Sequence, residues 1–275
     1  THLAAAGCRW IASGEGVLNN SLKASGITDK RAAYHPWRLE QAPGLTLFFR
    51  DERLSDLIGF DYAKWHGRDA AKHLIQQLEA ILDASGADES PVVSIILDGE
   101  NAWEHYPYNG YYFFDDLYEL LAANTRIRTT TYAEILARVT VRSAPVLPRL
   151  TAGSWVYGTL STWIGDEAKN RGWDLLCEAK QSCDRVLASG RLDAAQVAAV
   201  ETQLAICESS DWFWWFGDYN PSAAVANFDS LYRRNLARLY RLLQLEPPPQ
   251  LDISICAGSA AAEGGSMRHA NPSQH

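Results

Sequence analysis

The chain has no cysteine framework, no basic cluster and no membrane-length apolar run, and each absence removes a class of function. Its five cysteines, Cys8, Cys177, Cys183, Cys207 and Cys256, are odd in number and show no Cys-x-x-Cys spacing. A disulfide scaffold and a zinc knuckle are therefore disfavoured, and a reducing, cytoplasmic setting is expected. Lys and Arg are scattered and the net charge is −8, which argues against holding a phosphate backbone. No stretch approaches the ~20 apolar residues that span a bilayer, and no signal-peptide pattern opens the chain. Neither nucleic acid nor membrane is expected as a partner. Histidines at three- or four-residue helical spacing are also missing, since His66 and His73 stand seven apart. No metal and no cofactor is expected.

What is present is ample core material and unusual aromatic wealth. With 275 residues, 47% of them hydrophobic, the chain can build one large core or two modest ones. Its ten Trp and twelve Tyr suit either a sugar-lining surface or a big core. The opening Thr1-His2-Leu3 reads as the end of a helix without a cap, so the sequence reads as a piece of a longer protein. Residues 8–12 form an expected strand that ends at Ser13-Gly14-Glu15, and 46–49 another that ends at Arg50-Asp51-Glu52. Helical spacing over 68–82, with Gly86 just beyond, predicts a capped helix. A strand over 92–97, a helix over 111–123, a β-branched run over 127–131 and a helix over 132–138 come next. Strand-then-helix alternation means parallel pairing, hence an α/β fold. Pro145 and Pro148 mark a linker. Beyond it, helices are expected over 167–188, 193–207 and 222–243, with Asp193 as an N-cap. The expected domains are thus 1–144, an α/β catalytic part, and 145–250, a helical one. A tail over 251–275, without periodicity, is expected to be disordered.

The most informative stretch is Leu97-Asp98-Gly99-Glu100-Asn101-Ala102-Trp103-Glu104-His105. An apolar strand that stops at acids and rings is how a rigid element delivers a carboxyl group to a cleft. Acids beside flat rings suit a sugar. A glycosidic oxygen must be protonated as its bond breaks, which makes Asp98 the candidate general acid. Glu100 either orients substrate or makes a local loop hydrogen bond. Trp103 and His105 belong to the same aromatic loop. Glu15, Arg50 and Asp51 end their own strands like rim residues, although Arg50 and Asp51 fit a structural salt bridge equally well. A second aromatic run, Asp211-Trp212-Phe213-Trp214-Trp215-Phe216, has more rings than one helix face can bury. Asp211 and Trp212 either cap a substrate groove or belong to an inter-domain plug.

Three groups of segments resemble glycoside hydrolase family 57. They are the Cys8–Ala12 segment with Phe49-Arg50-Asp51-Glu52-Arg53-Leu54-Ser55-Asp56, the Asp98 stretch, and Gly153-Ser154-Trp155, Thr162-Trp163-Ile164-Gly165 and Ser210-Asp211-Trp212. They occur in the family's order, and the sequence is most similar to bacterial α-amylase or α-mannosidase-like members. The resemblance implies a retaining enzyme acting on α-glucans, built as the C-terminal portion of an incomplete (β/α)7 barrel followed by an α-helical domain. It implies general acid/base duty for Asp98 and substrate contact for Asp211 and Trp212. The family nucleophile is a Glu in a Trp-x-x-Glu segment on the strand preceding the Trp10 segment. The barrel half is read as lacking it, so the 275 residues alone are expected to be inactive. Two other classes compete: a non-catalytic carbohydrate-binding protein, and a metal-dependent polysaccharide deacetylase.

Overall fold

A computed structural model describes residues 2–86, 90–138, 144–217 and 219–256. The chain divides into two compact units between Thr159 and Leu160. The expected boundary at Pro145 is therefore displaced, and residues 144–159 lie with the first unit.

The first unit is mixed α/β, built on a four-stranded sheet ordered β1-β3-β2-β4. Its strands are β1 (Trp10–Ser13), β2 (Trp37–Leu39), β3 (Ala42–Phe49) and β4 (Val146–Leu147). Strand β3 is central because Leu45 to Phe49 are all buried, an apolar run that wants neighbours on both edges and both faces. Strand β1 pairs with it in parallel, Trp10 opposite Thr46 and Ser13 opposite Phe49. Strand β2 folds back antiparallel, and β4 lies parallel to β2.

After the short helix α1 (His2–Ala5) and β1 comes α2 (Glu15–Ser25). It buries Val17, Leu18 and Leu22 in one cluster with Leu47 and Phe49. It stops at Gly26, whose φ of 67° is left-handed and whose N–H reaches the Leu22 and Lys23 carbonyls, a glycine C-cap. Helix α3 (Glu52–Asp56) runs straight into a π turn at Leu57–Asp61. Helices α4 (Gly67–Asp83) and α5 (Tyr111–Ala123) pack through Ala70, Ala71, Leu74 and Ile75 against Phe113 and Leu117. A short α6 (Tyr132–Ala137) is capped by Thr131, which accepts from the Glu134 N–H.

Three expectations change in this unit. Residues 92–97 make no regular strand: Ser94 forms an isolated parallel bridge with Arg50, and Val92 packs against the cluster that holds Phe48 of β3. Side chains replace the ladder there: Ile96 N–H donates to Ser55 Oγ at 3.3 Å, and its carbonyl accepts from Arg50 Nε at 2.8 Å. The run 127–131 is not a strand either. Asn124 Oδ1 takes the N–H groups of Arg126 and Ile127, an Asx turn that outcompetes sheet pairing. Helix α4 ends before Gly86, with Ala84 as its cap.

The second unit is helical: α7 (Glu167–Ala188), α8 (Ala194–Cys207), α9 (Asp211–Trp215) and α10 (Ser222–Leu242). Asp166 caps α7, and Asp193 is the N-cap of α8, as the sequence predicts, with Gln196 closing a reciprocal capping box. The α10 stripe Val225, Tyr232, Leu236, Leu239 and Leu243 is buried, while Leu231 turns outward. Tyr232 donates its hydroxyl to the Gly172 carbonyl at 2.9 Å inside this core. The tail expected to be disordered over 251–275 is ordered at its start: Pro249–Asp252 form a 3-10 turn with Leu251 buried, and Ser254 and Ile255 bond to Asp229. Residues 257–275 lie outside the described residues. No described helix is long and apolar enough to cross a membrane. A mixed α/β unit with a small sheet is followed in sequence by a helical one, in agreement with the expected α/β fold class.

Candidate active site

The C-terminal ends of β1 and β3 emerge on one edge of the sheet, because the two strands are parallel and Ser13 faces Phe49. The segment leading to Asp98 runs the same way, since Ser94 bridges Arg50 in parallel and its carbonyl accepts the Asp51 N–H at 2.9 Å. One edge thus gathers Glu15, Arg50, Asp51, Glu52 and the approach to Asp98.

Arg50 is the hub. Its Nη2 donates to Asp56 Oδ1 at 2.8 Å, both side chains being almost fully buried, and its Nε holds the Ile96 carbonyl. The guanidinium carbon sits 5.8 Å from the Trp155 ring centroid, within cation–π reach. The remaining Nη1 is buried with no hydrogen-bond partner among the described residues. The salt bridge expected for this region exists, with Asp56 in place of Asp51.

Asp51 is structural. Its Oδ1 caps α3 by accepting the Leu54 N–H at 2.7 Å, and its Oδ2 takes the Tyr34 hydroxyl at 2.8 Å. With the side chain buried and both oxygens engaged, the expected rim carboxylate is an N-cap. Tyr34 responds: burial first, then the charge of Asp51, pushes its phenol well above the usual range.

Glu15 opens α2 and is half-buried. Burial raises its pKa above the ordinary carboxylate value, and the neighbouring Glu52 and Asp51 charges add to the rise. Glu52 is raised as well, chiefly by burial, although its Oε1 accepts the Gly16 N–H at 3.0 Å. Close backbone approach builds this corner. A Cβ on Gly14 would stand 2.7 Å from Trp155 Cα, and one on Gly158 would meet the Gly16 carbonyl carbon at 2.5 Å. Glu52, Tyr34 and Trp155 are not site residues that the sequence singles out. They converge from separate segments; Glu52 and Trp155 lie in segments that carry the family resemblance, and no local pattern marks Tyr34.

Asp98 is exposed. Its Oδ2 accepts from Asn101 Nδ2 at 2.9 Å, and its other oxygen makes no hydrogen bond among the described residues. Asn101 has φ 64° and ψ −64°, a strained γ-turn geometry of the kind that collects at functional sites. Glu100 and His105 are exposed nearby, and Trp103 packs 4.5 Å from Phe114. In the helical unit, Asp211 is exposed and accepts the Ser209 hydroxyl. Trp212 is buried in that unit's own core, with its indole N–H on the Ile206 carbonyl at 2.9 Å. Four of the five rings of that run are buried, since α9 is so short that the chain leaves it before its outer face is used.

The Trp-x-x-Glu spacing does occur once, at Trp37-Arg38-Leu39-Glu40. Trp37 is buried on the Ala32 carbonyl, and Glu40 is exposed in the turn between β2 and β3. That turn is at the start of β3, about 25 Å from its other end, so Glu40 sits on the wrong edge. Among the described residues no three His, Cys, Asp or Glu side chains could hold a metal ion.

The model for glycosyl hydrolase family 57 matches residues 1–148, just over half of the chain. No curated protein matches. Among solved structures, a family 57 branching enzyme from the hyperthermophilic archaeon Thermococcus kodakaraensis, in complex with glucose, superposes with a TM-score of 0.69 at 15% identity, over 85% of this chain and 51% of that one. The α-amylase AmyC from Thermotoga maritima gives 0.61 at 12% identity, over 88% and 56%. The chain spans about half the length of these structures.

Proposed function

The chain belongs to glycosyl hydrolase family 57, and from that premise we propose that it carries the acid/base half of a retaining α-glucan hydrolase or glucanotransferase. Asp98 is the general acid/base. The observation that supports this reading is its placement: an open carboxyl group on the sheet edge where Glu15, Arg50 and Glu52 also end their strands. Asn101 steadies one oxygen, leaving the other to pass a proton to the glycosidic oxygen and to reclaim one from water in the second step. Glu15 and Glu52 give up protons less readily than ordinary glutamates, so they suit hydrogen bonds to sugar hydroxyls as donors or acceptors. Arg50 holds the approach to Asp98 through the Ile96 carbonyl, and Glu100, Trp103 and His105 stand close to Asp98 in sequence. Asp211 and Trp212 are assigned to the substrate site on resemblance alone.

Retention needs a second carboxylate about 5–5.5 Å from the first. With Glu40 on the wrong edge, we assign the nucleophile to a Glu outside these 275 residues. The test is made on the protein joined to that upstream half. It should turn over an α-glucan, the 275 residues alone should be nearly inactive, and Asp98→Asn should lower the rate at least ~100-fold while sparing binding. A joined protein that neither releases nor transfers sugar from any α-glucan refutes the assignment. An Asp98→Asn variant as fast as its parent refutes the role of Asp98.

A further inference from the structure

Ten residues beyond Asp98, the chain spends backbone strain to display rings. Tyr108 and Asn109 both have left-handed backbones, φ 51° and 54°, and Gly110 comes next at φ 82°. Only the glycine adopts that conformation at no steric cost. The result is that Tyr108 is 76% exposed and meets Tyr112 edge-to-face at 5.3 Å and 88°. Tyr111 meets the same Tyr112 ring at 5.3 Å and 85°. Two rings therefore stand at right angles to a third, forming an open aromatic corner at the start of α5. Tyr118 continues the row two turns along the helix, about 10 Å away, stacked 5.8 Å from Phe114.

Core packing does not explain these rings. Helix α5 buries Phe113 and Leu117, while Tyr111, Tyr112 and Tyr118 are each more than half exposed. None of the four phenol hydroxyls makes a hydrogen bond among the described residues. Polar groups flank them: Asn109 is exposed, and Asp115 is exposed one helical turn from Tyr111 and Tyr112. Ring faces for the C–H surface of a pyranose, with phenols and a carboxylate for its hydroxyls, match the chemistry of a sugar chain. They offer no ionic anchor for an acidic ligand.

We propose that Tyr108, Tyr111 and Tyr112, extended by Tyr118, form a second binding surface that holds a remote part of a polymeric α-glucan. The nature of the sugar rests on the family-based reading above, and the platform is continuous in sequence with the loop that carries Asp98.

The experiment is electrophoresis of the purified protein through gels containing soluble amylopectin, with a gel lacking polymer as reference. Wild type should be retarded. Joint replacement of Tyr108, Tyr111 and Tyr112 by Ser should weaken the apparent affinity about tenfold, and joint replacement by Phe should preserve most of it. Asp98→Asn should be retarded like wild type. Equal retardation of the Ser variant and wild type overturns the platform, as does a wild type that is not retarded. A Ser variant that loses only self-association in sedimentation also overturns it, because the rings then belong to a second copy of the chain. Failure of the joined protein to turn over short maltooligosaccharides, with polymer retardation intact, strikes the catalytic reading alone.

Discussion

Replacing Arg50 by Met is the sharpest probe of how the site edge is held. Arg50 is 6% exposed, and its guanidinium pairs with Asp56 at 2.8 Å and holds the Ile96 carbonyl two residues before Asp98. Methionine fills similar volume but leaves the Asp56 carboxylate buried without its cation. Breaking one side of a buried pair costs about 3–5 kcal/mol, a large share of the 5–15 kcal/mol that holds a typical domain. Urea unfolding followed by tryptophan fluorescence should show the first unit losing that amount. Removing both charges, Arg50→Met with Asp56→Leu, should recover most of it, because the penalty lies in the stranded charge. Arg50→Lys should fall between, since an ammonium cannot serve Asp56 and the Ile96 carbonyl with the same fork. A loss under about 1 kcal/mol for Arg50→Met, typical of a surface pair, would mean that water solvates the guanidinium and that Asp98 is held by something else.

Glu15→Gln should separate stability from function. The pKa of Glu15 is raised by burial and by the Glu52 and Asp51 charges, so its ionised form is disfavoured in the folded state. That penalty is absent well below pH 4.5, the ordinary value, and grows as pH rises through and beyond it. The variant should match wild type in acid and exceed it at neutral pH in urea midpoint. A variant that is weaker at neutral pH contradicts the assignment. Gly158→Ala should destabilise the first unit by roughly 2 kcal/mol or more, because φ is +64° and the new Cβ meets the Gly16 backbone at 2.5–2.9 Å. A cost under about 1 kcal/mol in urea unfolding would show that the backbone yields easily there. Tyr232→Phe should cost the helical unit about 1–2 kcal/mol by stranding the Gly172 carbonyl. An unchanged unfolding midpoint would mean that this carbonyl finds another donor.

The elements legible in the sequence are those whose own residues decide them. Helices α4, α5, α7 and α10 carry apolar faces at helical spacing, and the N-cap Asp193 signs the start of α8. Strand β3 declares itself through Leu45, Leu47, Phe48 and Phe49, interrupted only by the β-branched Thr46. Residues 92–97 look equally apolar, yet there the partner is an arginine fork and a serine hydroxyl, and no local pattern foretells that. The unit boundary is displaced for a similar reason. The prolines at 145 and 148 look like a linker, but Trp155 and Gly158 pack onto Gly14 and Gly16, which binds the segment to the first unit.

Asp98 draws the proposal because an acid that ends an apolar run beside glycine and tryptophan has few structural reasons to be there. Asp51 sits at an equally suggestive strand end, yet an acid three residues ahead of a helical N–H is also an N-cap, and the capping duty takes both of its oxygens. The residues after each acid tell the two apart: a helix begins at Glu52, whereas Asp98 leads into a turn strained at Asn101. Glu40 makes the same point from the opposite side. Its Trp-x-x-Glu spacing fits a nucleophile motif, but the parallel pairing of β1 with β3 brings Glu15 and Glu52 to one edge, the edge of the proposed site, and Glu40 stands on the other. A motif therefore identifies a catalytic group only together with the direction of the strand that delivers it. By that criterion Glu15, Arg50, Glu52 and Asp98 stand on the site's edge, and neither the spacing at Glu40 nor the acidity of Asp51 adds to them.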